Sequence, residues 1–554
     1  MSRSWSARMG KIALTSTAFV LILTLVSTGC TPAPPPKPVE RMLRVTAANV
    51  PKIDPAIGSD GAAAMGQLNL YDTLVFPNPD GSVRQHLATK WDVSADGLVW
   101  EFTLRQGVKF HNGKELTAED VAFSMDRLLK VGRGWAYLFK GRVNKSEAVS
   151  KYVVRFTLTK PFGPFLSTLV RLYVMSKDDV MAHLVKPGAY DDFGDYGTAW
   201  LQANDGGSGP YKVKEVKQGE YVLVEQFKDY WNGFKSNSPT SLKIIGTTEP
   251  VTVRTLMSRR ELEISDSYQS IEALKALGEI PGATVALLPA ATMNDLMLNT
   301  KKPPTDCLYF RKALAYAVDY ATLVQQISPG TPAPIGLVSS AIAGHNPNVE
   351  QPTYDLAKAM EYLKKSKYYG KLDKYPVELA WVAEVPDREK IALLVQASCT
   401  QLGITINVVR VPWVSLVDKC ARPDTTPHGN IVSMSPDYPE AGAHMYARWH
   451  SSGAGTWLQM DWLQDKEFDA AIEDALSTID WGQRLEKYKP LQVRLMEIQP
   501  AITLMQGLTR MAYQSNYVVW PAAEAAKNKQ PVTVLMGYSM YARDIEVYPE
   551  KMPK

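Results

Sequence analysis

Leu87-Ala88-Thr89-Lys90-Trp91, Ala95-Asp96-Gly97, Val99-Trp100-Glu101-Phe102-Thr103-Leu104-Arg105, Gly107-Val108-Lys109-Phe110-His111, Gly113 and Thr117-Ala118-Glu119-Asp120-Val121 follow one another between residues 87 and 121. Val99 to Leu104 alternates apolar and polar, the period of a half-buried strand. Ala95-Asp96-Gly97 before it is a turn signal, so the segment Leu87 to Phe110 reads as β structure with tight turns. Thr117 then stands three residues before Asp120, ahead of Val121, Phe123 and Leu128-Leu129. That spacing predicts a capped helix start. One stretch therefore switches from period 2 to helical period.

The same switching continues outward. Leu43 to Ala47 alternates like a first strand, and Tyr152 to Leu158 alternates again until Pro161 ends it. Gly206-Gly207-Ser208-Gly209-Pro210 is a loop leading into a hairpin of Tyr211-Lys212-Val213 and Tyr221 to Val224. Phe310 to Ile327, Asp355 to Leu363, Arg388 to Leu402, Phe468 to Leu476 and Arg484 to Ile498 carry apolar residues at helical spacing. Arg388 to Leu402 runs into a strand, Ile404 to Val409, and Asn430 to Met434 is strand-like. Strands and helices mixed in this way predict an α/β fold of several lobes, with a small-molecule cleft between them.

The chain has 554 residues, 45% hydrophobic and 21% charged, enough for more than one core. Its 13 Trp and 26 Tyr suit both cores and clefts. The formal net charge is +4, and removing Arg3, Arg8 and Lys11 with a leader lowers it to +1. A near-neutral body excludes the electrostatic footprint of a nucleic-acid binder. The four cysteines, Cys30, Cys307, Cys399 and Cys420, fit no zinc spacing. Cys399 and Cys420 are open to either a disulfide or two buried thiols. His-Glu-x-x-His, a Walker loop and a Gly-x-Ser-x-Gly elbow are all missing; Pro210 stands where an elbow would need Gly. No enzymatic activity and no cofactor are expected.

Arg3, Arg8 and Lys11 precede an apolar run, Ile12 to Val26, which is too short for a comfortable span and fits a secretory leader. Ser27-Thr28-Gly29-Cys30 then resembles a bacterial lipobox, departing at Ser27 where Leu is usual. This predicts a signal peptide over 1–29 and lipidation of Cys30. The proline-dense run from Thr31 to Pro38 favours extended polyproline II, so residues 30–41 read as a tether. The expected location is the cell membrane, lipid-anchored, on the periplasmic or extracellular side.

Six blocks carry a family resemblance. They are Asp54-Pro55-Ala56 with Tyr71-Asp72-Thr73-Leu74-Val75 and Pro79-Asp80-Gly81; the stretch 87–121; Gly207-Ser208-Gly209-Pro210-Tyr211 with Asp229-Tyr230-Trp231-Asn232-Gly233; Phe310 to Asp319; Tyr354 to Ala359; and Ser435-Pro436-Asp437-Tyr438-Pro439. In this order they resemble the bacterial extracellular solute-binding proteins of family 5, the dipeptide, oligopeptide and nickel class. Asp72 and Ser208 replace the commoner Glu and Thr. A late Asn-Tyr-containing motif is missing, with Thr456 to Trp462 in its place.

The resemblance implies a type II periplasmic-binding-protein fold with two large lobes and a smaller extra lobe. Lobe Ia is expected from 42–76, 204–284 and 514–554, lobe Ib from 77–203, and lobe II from 287–513. It also implies a monomer that delivers a peptide to the permease and ATPase subunits of an ABC importer. Alternatives are an oligosaccharide or nickel complex on the same fold, or, in other classes, a secreted hydrolase or a structural surface lipoprotein. Asp437 matches the position that holds a ligand α-amine in peptide-binding relatives; Trp413, Tyr438 and Trp449 are the expected cleft walls. Most other motif residues read as scaffold: Gly97 and Gly113 as turns, Thr117 as a cap, and Arg311 with Asp319 as a local pair. His444 and His450 are not spaced as a one-face helical pair.

Overall fold

Met42–Ala47 does not pair with the strands that follow it in sequence. It runs parallel to Ser241–Gly246, which pairs antiparallel with Tyr221–Gln226 and, beyond it, Tyr211–Lys217. The computed structural model describes residues 40–385 and 387–553. The expected leader, Cys30 and nearly all of the tether lie outside the described residues. Arg41 already belongs to the folded body, where its amide donates to Thr240 Oγ1 at 2.9 Å.

A second sheet is wholly antiparallel. Its order is Ala88–Val93, Val99–Leu104, Val153–Leu158 and Val143–Ser150. The helix Ala118–Val131 covers one face, burying Val121, Met125 and Leu128. Its start follows the expected capping logic: the Asp120 carboxylate accepts from Thr117 N–H and Thr117 Oγ–H, both at 2.9 Å.

The third sheet has five strands in the order Ile406–Val411, Val377–Val382, Gly429–Met434, Thr284–Leu298 and Ala501–Tyr513. Val377–Val382 is parallel to both its neighbours, and the remaining pairs are antiparallel. The two longest strands, Thr284–Leu298 and Ala501–Tyr513, reach back toward the first sheet through the bridges Val45 to Ile264 and Ile264 to Tyr513. Their ladder shifts register between Pro289 and Met293. The expected lobe boundaries near 284–287 and 513 fall inside or at the end of these strands.

Two buried carboxylates explain several of the sequence blocks. Asp54 forms a fork with Arg127, Nη1 to Oδ1 at 2.7 Å and Nη2 to Oδ2 at 2.8 Å, with both side chains enclosed. Asp72 accepts from His86 Nε2 at 2.8 Å, Ser208 Oγ at 3.0 Å, Tyr230 Oη at 3.0 Å and Trp231 Nε1 at 3.1 Å. Two of the blocks, far apart in sequence, thus meet at one side chain together with His86. Gly207 and Gly209 lie against the backbone of the same region: a Cβ on Gly207 would stand 1.9 Å from Leu70 O. No larger residue fits there without moving the chain.

Three local expectations change. The run Phe310 to Ile327 is not one helix but Leu308–Ala317, an extended break at Val318, and a new turn from Tyr320. Asp319 caps that turn by accepting from Thr322 N–H at 2.9 Å, so it does not pair with Arg311. Arg311 instead donates to the carbonyls of Thr305, Ile498 and Gln499, which places its charge at a helix C-terminus. Cys399 and Cys420 are free thiols in different hydrophobic cores, so no disulfide joins them.

Candidate functional site: the cleft between the sheets

Two adjoining cavities, about 430 and about 570 Å³, open between the first and third sheets. They share Ser267, Tyr268, Ala290, Thr292, Val385 and Thr509, so they form one continuous cleft. Its walls come from strand ends and the loops that leave them, the usual home of ligand sites in α/β folds. Hydroxyls dominate the polar lining: Thr46, Ser267, Thr292, Ser433, Ser435 and Thr509. The Tyr268 ring is 67% exposed and faces this space.

Asp266 shapes one wall. It is enclosed and accepts from Thr46 Oγ1 at 3.1 Å, Tyr268 N–H at 2.8 Å and Gln269 Nε2 at 2.8 Å. Its oxygens are therefore occupied by the protein. The opposite wall carries a cation without a counter-charge. Arg388 donates from Nη2 to Ser433 Oγ at 2.6 Å, and no carboxylate pairs with it among the described residues. Burial alone pulls its pKa down to about 10. A second arginine, Arg510, lines the larger cavity.

Asp437 follows the strand Gly429–Met434 and is half-buried. Its backbone carbonyl accepts from Arg171 Nε at 3.2 Å. Burial pushes its carboxyl above the ordinary aspartate value, opposed by the Tyr137 hydroxyl and the Arg171 charge. Arg171 itself is 1% exposed and stacks over Trp135 at 4.4 Å; its Nη1 donates to Met536 O at 3.0 Å, and its Nη2 has no partner among the described residues. Asp437 lines neither cavity; Ser435 and Met536, which line the smaller one, place it just behind that end of the cleft.

The other sequence-derived candidates sit elsewhere. Tyr438 and Trp449 are 3% and 0% exposed, packed inside the protein, and line neither cavity. Both belong to the large hydrophobic core, where their rings take apolar surface out of water. Trp413 stands at the cleft margin: its amide donates to Glu384, which lines the larger cavity, and its ring meets Trp457 edge-on at 5.2 Å. His444 is enclosed, and burial pulls its pKa down to about 3. No group of three or more His, Cys, Asp or Glu among the described residues is placed to hold a metal ion.

Sequence reasoning did not single out Arg388 or Arg510 as site residues. Arg388 had a signal: it lies in the first turn of the helix Asp387–Thr400, where a cation meets the positive end of the helix dipole. A residue placed against its own electrostatics is a candidate for function.

The sequence profile of the bacterial extracellular solute-binding proteins, family 5 Middle, matches residues 82–456. The chain belongs to the bacterial extracellular solute-binding proteins of family 5. Among curated relatives, it is 28% identical over 484 residues to the probable D,D-dipeptide-binding periplasmic protein DdpA of Escherichia coli, covering 86% of this chain and 90% of that one. It is 26% identical over 467 residues to the dipeptide-binding protein of the same organism, covering 78% and 83%. Among solved structures, CtaP of Listeria monocytogenes superposes with a TM-score of 0.77 at 22% identity, covering 92% and 99%. DppA of Helicobacter pylori in complex with the peptide STSA gives a TM-score of 0.72 at 21% identity, covering 91% and 98%. These likenesses establish a periplasmic-binding-protein type II fold, the α/β class expected from the sequence.

Proposed function

We propose that this chain is the substrate-binding lipoprotein of an ABC importer and captures a short peptide in the cleft between its first and third sheets. The observation that carries this reading is Arg388, a guanidinium held by Ser433 with no carboxylate paired to it among the described residues. A peptide carboxylate supplies the missing charge and can take two parallel hydrogen bonds from the fork. Asp437, its carboxyl pushed up by burial, is the group we assign to the ligand's α-amine. Relatives that bind dipeptides support the ligand class.

The long strands Thr284–Leu298 and Ala501–Tyr513 are the natural hinge, because they run through the region where the cleft walls join. The proposed lobes are 42–76 with 204–284 and 514–554, then 77–203, and 287–513. Capture closes these lobes on the ligand, and the closed form is handed to a permease driven by a separate ATPase. Cys30 is the proposed lipid attachment. No helix among the described residues is long and apolar enough to cross a membrane.

Native mass spectrometry of the protein purified from its own cell envelope tests the reading. A bound mass that fragments as a peptide supports it. A bound hexose series would move the ligand to the oligosaccharide class.

A further inference from the structure

We infer that Arg510 is a second anion anchor in the cleft, so that the preferred ligand is a short peptide carrying a side-chain carboxylate besides its terminal one. This rests on the peptide reading above and adds the ligand's charge pattern to it. Arg510 lines the larger cavity, whereas Arg388 lines the smaller. Its contacts with the protein all come from one nitrogen: Nη2 donates to Pro329 O at 2.7 Å, Thr331 Oγ1 at 2.9 Å and Ser328 Oγ at 3.3 Å. Nε and Nη1 make no hydrogen bond to the described residues. Three oxygens thus fix one nitrogen of the planar guanidinium and leave two separate charged donors, Nε–H and the Nη1 amino group, for a ligand. A guanidinium held in this way is preorganised to give a carboxylate oxygen one charge-assisted hydrogen bond.

Among the described residues, no carboxylate bonds to either donor. Asp387 also lines the larger cavity, but its Oδ1 is bonded to Lys390 Nζ at 2.9 Å. Glu384, the other acid there, receives the Trp413 amide on both oxygens. Burial pulls the Arg510 pKa below its ordinary value, opposed by the more distant charge of Asp387. A cation kept in a partly dry cleft without a partner is disfavoured unless a ligand supplies the counter-charge.

One ligand carboxylate cannot serve both arginines. Arg388 ends at Ser433, which pairs with Asn294, whereas Arg510 pairs with Leu287 on the same strand. Seven residues separate those rows, roughly 20 Å of strand after the bulge, before the reach of the two side chains is taken off. The two cations therefore mark two separate positions along the cleft.

Calorimetry on two matched pairs, Ala-Glu-Ala against Ala-Gln-Ala and Ala-Ala-Glu against Ala-Ala-Gln, tests this. Wild type should bind the Glu member of at least one pair about 10-fold more tightly, the size of one charge-assisted hydrogen bond. In Arg510→Gln that preference should fall within twofold, while the Gln peptides bind as they do to wild type. Arg510→Lys, which keeps the cation, should keep part of the preference, and this separates charge recognition from loss of the 328–331 loop. A wild-type ratio within twofold for both pairs, or a preference that survives Arg510→Gln, overturns the inference and leaves the peptide reading standing. Failure of all four peptides to bind wild type removes the peptide reading and this inference with it.

Discussion

Asp437→Asn changes the charge of one side chain and almost nothing else. The amide keeps the size of the carboxyl and can still accept from Tyr137, so the fold around Arg171 and Trp135 should persist. If Asp437 pairs with a ligand amine, the loss is that of one charge-assisted hydrogen bond, about 1.5–3 kcal/mol. Two features pull the figure to the lower end. Tyr137 beside the site is 50% exposed, so the pair is partly solvated, and Arg171 repels an incoming cation. About 10-fold weaker binding is the expected result. N-acetylation of the same peptide removes the charge from the other side and should have an equal effect. The assay is calorimetry with trialanine and N-acetyl-trialanine on wild type and Asp437→Asn, read as a double-mutant cycle. The doubly altered combination should be no weaker than either single one.

The titration of Asp437 adds a second, independent signature. Its folded value is raised, so between 3.8 and that value the folded protein holds more protons than the unfolded chain. Stability from this group therefore falls as pH rises through the interval. Ligand affinity moves the opposite way, because only the ionised carboxyl pairs with an amine. Equal affinity in all four combinations, with no pH dependence removed by Asn, would take Asp437 out of the site.

Asp54→Ala should destabilise the protein by about 3–5 kcal/mol, because it strands the buried Arg127 cation; pairing it with Arg127→Met should recover most of that loss in denaturant titrations. His111 donates from Nε2 to Gly209 O at 2.9 Å and from Nδ1 to Asp205, so both ring nitrogens carry hydrogen in this arrangement. Burial lowers its pKa, but the Asp205 charge outweighs this and raises it above 6.5. The stability it contributes is complete below 6.5 and lost as pH rises through the raised value; Asp205→Asn should flatten that part of the melting-temperature profile. Cys30→Ala should release the protein from membranes or leave it unprocessed; processing and membrane fractionation unchanged from wild type would refute lipidation.

Local chemistry made much of this fold readable. The Thr117 to Asp120 spacing marks a helix start because one carboxylate can reach two donors, and the structure shows both bonds. The alternation of Val99 to Leu104 marks a strand because one of its faces is buried. Thr284–Leu298 gave no such signal. Pro289 interrupts it, and it passes from one environment to another, so no single alternation holds along its length. The Val318 break in the long helical pattern was equally silent, since apolar spacing continues straight through it.

The site was less legible than the fold. The block Ser435 to Pro439 nominates Asp437, which lies behind the cleft, whereas Tyr438 and Trp449 are core residues; aromatic side chains do not announce which face they serve. Arg388 and Arg510 stand out only because no carboxylate among the described residues pairs with them, a property of the folded surroundings and not of either residue's neighbours in sequence.

The first sheet's neighbourhood is closed by residues near the far end of the chain. Asn69 donates to Met540 O at 3.0 Å and accepts from Ala542 N–H at 2.9 Å, and Tyr230 meets Tyr541 at 2.9 Å between hydroxyls. A chain that emerges N-terminus first must therefore hold its opening 250 residues or so in an incomplete state until almost all of the remainder has arrived. Loop closure over that span is slow to begin and gains nothing until it is finished. The five-stranded sheet lies under the same constraint, because its edge strand Ala501–Tyr513 comes late as well. Neither half can mature ahead of the other, so the nascent protein should remain sensitive to proteases and open to chaperones for nearly the whole of its appearance.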